Sequence, residues 1–185
     1  MKINKTAARY SKALLGLSIE KNNLEDVFKD MTLIVDTAKE SKDLSLLLES
    51  KVIKADDKSA VLDKVFGSHI SEISSRFIKI IVNHGREDIL VPIAEAFIHQ
   101  YKQHKGIVSA EVTTAVALSN EERENIKGIV TQMQQGTVEL TEKINPEIVG
   151  GMIIRVGDKQ IDASVSRRLE TLKRELINKS YEAQI

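Results

Sequence analysis

The hydrophobic period of this chain, helical through its first hundred residues, first shifts to a strand period near Gly106, and that change constrains the fold more than any other feature. Before it, the sequence holds a single proline, Pro92, few glycines, and apolar side chains at every third or fourth position. An α-helix that buries one face repeats in that way. The spacing predicts helices over about 4–20, 23–39, 42–49, 55–67, 70–84 and 86–104, broken at Lys21-Asn22-Asn23, Ser41, Ser50-Lys51, Gly67-Ser68 and Gly85. Short links between helices of this length predict an antiparallel bundle of six helices over residues 1–105.

After Gly106 the period becomes two. In IVSAEVTTAV (107–116), Val108, Ala110, Val112 and Val116 fall on one side and Ser109, Glu111 and Thr113 on the other, the mark of a half-buried strand. Ser119, followed three residues later by Glu122, is a capping box that opens a helix to about Gln135. Residues 137–144 alternate again, with Val138, Leu140 and Ile144 expected inward. Val165, Leu169, Leu172 and Leu176 then lie on one stripe of a final amphipathic helix. The fold class expected is mostly α: a six-helix N-terminal bundle, then a small α/β (α+β) domain over residues 106–185.

Between strand and final helix runs NPEIVGGMIIRVGDKQIDASVSRR (145–168), whose glycines raise the question of a phosphate site. Gly150, Gly151 and Gly157 fit neither G-x-x-x-x-G-K-[ST] nor G-x-G-x-x-G, the spacings that surround a phosphate with backbone amides. A local account serves better. Asn145 caps a short turn, Pro146 takes its first position, and Gly150 is expected to supply a left-handed exit. Met152, Ile154 and Val156 face a core, Gly157-Asp158 form a two-residue hairpin turn, and Gln160-Ile161 begin the return strand. Arg167 and Arg168 stand where a helix N-terminus could meet an anion, although Glu170 and Glu175 make a solvated mixed-charge face the simpler reading.

Composition removes whole classes of chemistry. Lys+Arg and Asp+Glu both number 27, and the balance stays near neutral on each side of Lys105, which disfavours a nucleic-acid coat or a direct anchor on anionic lipid. With aromatics at 4%, a base-stacking platform has little to build on. Cysteine is absent, which excludes disulfides, thiolate metal sites and thiol nucleophiles. His69, His84, His99 and His104 show no metal-ligand spacing, and no carboxylate pair or nucleophile–base pattern nominates a catalytic residue, so the expectation is no catalytic site, no metal and no cofactor. No apolar run approaches the roughly 20 residues of a membrane span, and the opening MKINKTAARYSKALL reads as a domain helix rather than a leader.

What remains is surface for protein partners. In the first helix, Ala7, Tyr10, Leu14 and Leu17 share one face while Ala8, Leu15 and Ile19 share another. In the fifth, Ile70, Ile73, Phe77, Ile80 and Ile81 cover a broad arc that Ile78 and Val82 extend. A second apolar face means either a helix contacted on several sides or a docking surface, and the pattern leaves both open.

Three blocks carry a resemblance: RYSKALLGLS near the start, FIKIIVNHGR at 77–86, and INPEIVGGMIIRVGDKQIDASVSRRLETLK at 144–173. Their order and spacing resemble the delta subunit of rotary ATP synthases, the family of the mitochondrial oligomycin-sensitivity-conferring protein, over essentially the whole chain. The last block is the most specific. Ser11 departs from a frequent alanine, and His84 from a frequent asparagine. The resemblance implies a non-catalytic subunit of the peripheral stalk, resisting rotor torque during ATP synthesis. It implies that residues 1–105 bind the N-terminal segments of alpha subunits and residues 106–185 the b subunits, with only indirect contact to the membrane. For a bacterial enzyme that means a peripheral place on the cytoplasmic side of the inner membrane. In the family the first and fifth helices form the alpha-binding groove, which carries over to Tyr10, Ala13, Leu14, Leu17, Phe77, Ile80 and Ile81. For the b-subunit contact it gives only a region, Ser164 to Ile185, plus the small sheet.

Overall fold

Helix-stop chemistry divides the first hundred residues into short rods. The computed structural model describes residues 5–182. Over its first part these form α1 (Lys5–Glu20), α2 (Leu24–Glu40), α3 (Lys42–Glu49), α4 (Ala55–Phe66), α5 (Glu72–Asn83) and α6 (Leu90–His104), with a 3-10 turn at Glu87–Ile89 ahead of α6. Each break has a local cause. Asn22 takes a left-handed φ of 54° between α1 and α2, and Gly85 one of 61° after α5; glycine adopts that region freely and asparagine more readily than other residues. Ser41 starts α3 by accepting a hydrogen bond from the Leu44 amide at 3.2 Å.

α2 buries Val27, Met31, Ile34, Val35 and Ala38 along one stripe. Opposite it, Leu90, Ile93, Ala94 and Phe97 of α6 are fully buried, so α6 is the central rod of this unit. Phe28 stacks on Tyr101 with ring centroids 4.0 Å apart, and the Tyr101 hydroxyl donates to Glu25 at 2.6 Å. One buried ion pair ties the periphery together. Lys58 of α4 is 1% exposed, and its ammonium reaches Leu48 O, Ser50 O and Glu87 Oε1. A single amine thereby joins the end of α3 to the turn before α6.

Residues 105–182 form a second unit. β1 (Ile107–Thr114) leads through α7 (Asn120–Met133) to β2 (Thr137–Ile144), and a 3-10 turn at Pro146–Ile148 leads to β3 (Met152–Val156), β4 (Lys159–Asp162) and α8 (Val165–Glu182). The sheet order is β2-β1-β3-β4, with β1 and β2 parallel and the other pairings antiparallel. A parallel pair needs a crossover, and α7 supplies it. The capping box forms as expected: Ser119 Oγ accepts from the Glu122 amide at 3.3 Å, and Glu122 accepts from the Ser119 amide at 2.8 Å. The Ser119 amide, and then its hydroxyl at 2.7 Å, donate to the Glu122 carboxylate and hold it below the usual carboxylate range. Val108, Ala110 and Val112 pack with Ile126 and Val130 of α7 and with Ile154 and Val156 of β3, and Val138, Leu140 and Met152 lie against them. The fold is thus mostly helical with a small C-terminal mixed sheet.

Three expectations fail, two of burial and one of backbone conformation, each for a local reason. Val116 is exposed, because β1 ends at Thr114; the Thr114 hydroxyl donates to Val116 O at 2.7 Å and folds the chain away. Ile144 is exposed at the end of edge strand β2, beyond the point where Arg123 of α7 closes over the sheet by pairing with Glu142. In the glycine block, the left-handed residues are Val149 (φ 66°) and Gly151 (φ 74°), not Gly150. The turn after Asn145 is a 3-10 turn and so ends one residue sooner, where the Val149 amide reaches Pro146 O at 3.0 Å. Asn145 caps this turn from its side chain, at 3.1 Å from the Glu147 amide, and Pro146 opens it, as expected.

Both glycines then bring the start of α8 close. Gly150 O accepts from the Val165 amide at 2.9 Å. A Cβ on Gly151 would stand 2.3 Å from Ala163 O, so backbone fills the space beside it. Val156 pairs with Lys159 across Gly157-Asp158, the two-residue turn expected, with positive φ at Gly157.

Candidate functional site

Among the apolar side chains that the helical unit leaves exposed, Leu17 of α1 and Ile80 of α5 line one hollow between those two helices. A groove of about 480 Å³ is lined by Leu17, Lys21 and Asn23 on the α1 side and by Glu72, Ile73, Arg76, Phe77 and Ile80 on the α5 side. Its floor is four apolar side chains, and its rim is polar. Leu17 is 42% exposed and Ile80 49%. Glu72 and Arg76 pair along the rim at a spacing of one turn.

The walls are fixed from behind. Ala7 of α1, Ile81 of α5 and Ile93 of α6 are fully buried and form one cluster with Ile89, and Tyr10 and Phe77 lean on it. α5 is pinned at both ends. At its start, Asp30 of α2 accepts from the Ser71 amide at 3.0 Å and the Ser71 hydroxyl at 2.6 Å, while Ser71 Oγ accepts from the Ser74 amide at 3.4 Å. At its end, His84 Nδ1 donates to Ile80 O at 2.7 Å. α1 is held by Gln100 of α6, whose Nε2 donates to Ser11 Oγ at 2.9 Å and Ala8 O at 3.2 Å. Ser11 is completely buried, and Gln100 is the polar partner that a serine there requires.

The residues carried over from the sequence separate into three groups. Leu17, Phe77 and Ile80 line the groove together. Tyr10, half-buried, and Ala13, exposed, belong to α1 but not to the groove's lining. Leu14 and Ile81 are core residues, 1% and 0% exposed, so they form the groove's foundation and offer a partner no surface. Lys21, Asn23, Glu72 and Arg76 were not singled out by the sequence. Glu72 and Arg76 sit two turns and one turn before Ile80, and the left-handed turn at Asn22 brings Asn23 back to the rim.

A second hollow opens beside the first turn of α8, lined by residues that include Asp162, Ser164, Arg167 and Glu170. Its helix amides are already served from within the chain. Ser164 Oγ accepts from the Arg167 amide at 3.3 Å, and Asp162 accepts from the Ser164 amide at 3.0 Å and the Ser164 hydroxyl at 2.7 Å. Hydrogen bonds from the Ser164 hydroxyl and then its amide hold the Asp162 carboxyl below its ordinary value, with Arg167 adding to them at 3.4 Å. A carboxylate of the chain itself therefore takes the place an external anion would occupy.

Residues 6–176 match the OSCP family, described as the ATP synthase delta (OSCP) subunit. Proteins named ATP synthase subunit delta are similar along their whole length: 37% identical in Christiangramia forsetii over all of both chains, and 32% in Cytophaga hutchinsonii over 94% of each. Among solved structures, a chain of the Toxoplasma gondii mitochondrial ATP synthase hexamer shares the fold with a TM-score of 0.75, covering 94% of this chain and 98% of that one at 21% identity. With the family matched across both units and relatives of the same length, the chain belongs to the ATP synthase delta (OSCP) subunit family.

Proposed function

We propose that the α1–α5 groove receives an amphipathic N-terminal helix of an ATP synthase alpha subunit, and that residues 106–185 receive the b subunits. This is the division of labour expected within the family's role, which is that of a non-catalytic peripheral-stalk subunit of the F-type ATP synthase. The observation that carries the proposal is the groove itself: Leu17, Ile73, Phe77 and Ile80 form its apolar floor, with Leu17 and Ile80 substantially exposed. An amphipathic helix laid there would bury its own apolar stripe against that floor, the helix-in-groove mode. Polar rim residues would face the helix's polar flanks and set its register. For the b subunits, the support is the exposed leucine stripe of α8 within the region from Ser164 onward; residues 183–185 of that region lie outside the described residues.

No helix among the described residues is long and apolar enough to cross a membrane. The subunit's tie to the membrane therefore runs through its complex, which we place on the cytoplasmic side of a bacterial inner membrane.

The groove is tested by titrating the full chain with a synthetic peptide of the alpha-subunit N-terminus in a calorimeter. Fully burying an isoleucine or leucine is worth about 1.5–3 kcal/mol. With roughly half of Leu17 and Ile80 still exposed, each retains about 0.7–1.5 kcal/mol for a partner. Leu17→Ala and Ile80→Ala should each weaken binding by about three- to tenfold, and Ile80→Asp by more. Each variant stays folded, its unfolding midpoint lowered only by the loss of the half already buried, worth about 0.7–1.5 kcal/mol for the alanines. Unaltered affinity in Ile80→Asp would remove the partner from this groove.

A further inference from the structure

We propose that α8 docks antiparallel against the α8 of a second copy of this chain whenever no other helix covers it. This concerns the free chain and does not rest on the b-subunit reading. Val165, Leu169, Leu172 and Leu176 follow one another at intervals of four, three and four residues, the a/d alternation of a two-helix seam. Leu169, Leu172 and Leu176 are each more than half exposed, and Val165 about a third. At the foot of the stripe Val149, which is exposed and strained into a left-handed φ of 66°, adds apolar surface beside Gly150 and the first residue of α8.

The flanking charges select the occupant. Around this helix Arg167 pairs with Asp162 and Arg174 with Glu170. Arg168 and Glu175, both exposed, carry no side-chain hydrogen bond or ion pair among the described residues. With Leu169 and Leu176 at a positions, Arg168 and Glu175 both occupy g and Lys173 occupies e. Charges at e and g set orientation in such seams. An antiparallel copy brings g against g, so Arg168 of each chain meets Glu175 of the other, twice over. Leu169 then meets Leu172 of the copy at the centre, and Val165 meets Leu176 outside them. A parallel copy would set Arg168 against Lys173, two like charges. A surface that complements itself in one direction only is what a twofold, isologous contact requires.

Four layers make a short seam, so the association is weak, with Kd on the order of 100 µM. Sedimentation equilibrium of the full chain, up to about 1 mM, should show the mass rising from monomer toward dimer. Leu172→Asp should stay monomeric throughout, with unchanged circular dichroism because the side chain is exposed. Arg168→Glu should weaken the dimer about fivefold or more, and Arg168→Glu/Glu175→Arg should restore it to within about twofold. A chain that is monomeric at the highest concentration overturns the proposal. So does a dimer that survives Leu172→Asp, or one that Arg168→Glu tightens.

Discussion

Replacing Lys58 by methionine is the most direct test of how the helical unit is held together. The side chain keeps its length and loses its charge. In the native chain the buried ammonium serves Leu48 O at 3.2 Å, Ser50 O, and Glu87 Oε1, while Glu87 Oε2 is itself buried without a hydrogen-bond partner. Removing the amine strands a largely buried carboxylate and two carbonyl oxygens. Breaking a buried ion pair from one side costs about 3–5 kcal/mol. A hollow of about 180 Å³ lined by Ser50, Lys58 and Glu87 lets water reach the stranded groups, so the expected loss is near the lower end, about 3 kcal/mol. With a urea slope of about 1–3 kcal/mol/M, the midpoint falls by about 1–3 M, read by far-UV circular dichroism. Lys58→Met/Glu87→Leu removes both charges and should recover most of the loss, because paired apolar replacements at such sites are often neutral.

Acid supplies an independent check on the same pair. Burial pushes the Glu87 carboxyl up, but the Lys58 hydrogen bond, the residue's own backbone and the Lys58 charge outweigh it, and the group sits below its ordinary value. A depressed carboxyl contributes stability above its unfolded pKa and loses it as pH falls through the folded one. The native chain therefore weakens on acidification. In Lys58→Met the burial is opposed only by the residue's own backbone, protonation relieves the stranded charge, and the deficit against the native chain should narrow as pH falls. A single variant within about 0.5 kcal/mol of the native chain, or a double variant no better than the single, would refute the pairing as the link between α3, α4 and the turn before α6.

At the alkaline end, burial and then the Glu25 hydrogen bond push the Tyr101 hydroxyl up to about 12. A raised pKa contributes stability below the unfolded value near 10 and loses it as pH rises from there to about 12. Ultraviolet titration should show one tyrosine ionising late, and Tyr101→Phe should lose that step. Two glycines of the C-terminal unit should respond differently to alanine. Gly151→Ala meets both a left-handed φ and Ala163 O at 2.3 Å, and should cost about 2–4 kcal/mol in thermal unfolding. Gly157→Ala meets the φ alone, with open space around it, and should cost about 1–2 kcal/mol.

The local elements were legible because local chemistry makes them. Side-chain period distinguishes helix from strand, Ser41 and Ser119 cap helices with their own hydroxyls, and Asn145-Pro146 opens its turn without help from elsewhere. The reading failed where an end depends on what stands over it. Val116 and Ile144 carry the right parity for the core, yet Val116 lies past the end of β1 and Ile144 past the point where Arg123 of α7 pairs with Glu142. Parity gives a face; it does not give the length of the element packed on that face.

The groove shows the same division. Sequence alone determined that α1 and α5 carry more apolar surface than one buried stripe needs, since spacing along a helix fixes which residues share a face. It also fixed the family, through blocks whose order and spacing persist along the chain. Only the tertiary structure decided which of those apolar residues remain outside. Leu14 and Ile81 disappear beneath α6, Leu17 and Ile80 stay open, and Lys21, Glu72 and Arg76 become a rim. Burial belongs to pairs of elements, and the partner of a face is not written in the face's own residues. The double glycine at 150–151 makes the point at the scale of one atom. Its sequence asked for tight backbone, and only the approach of α8, with Ala163 O standing 2.3 Å from where a Gly151 Cβ would be, explains why nothing larger fits.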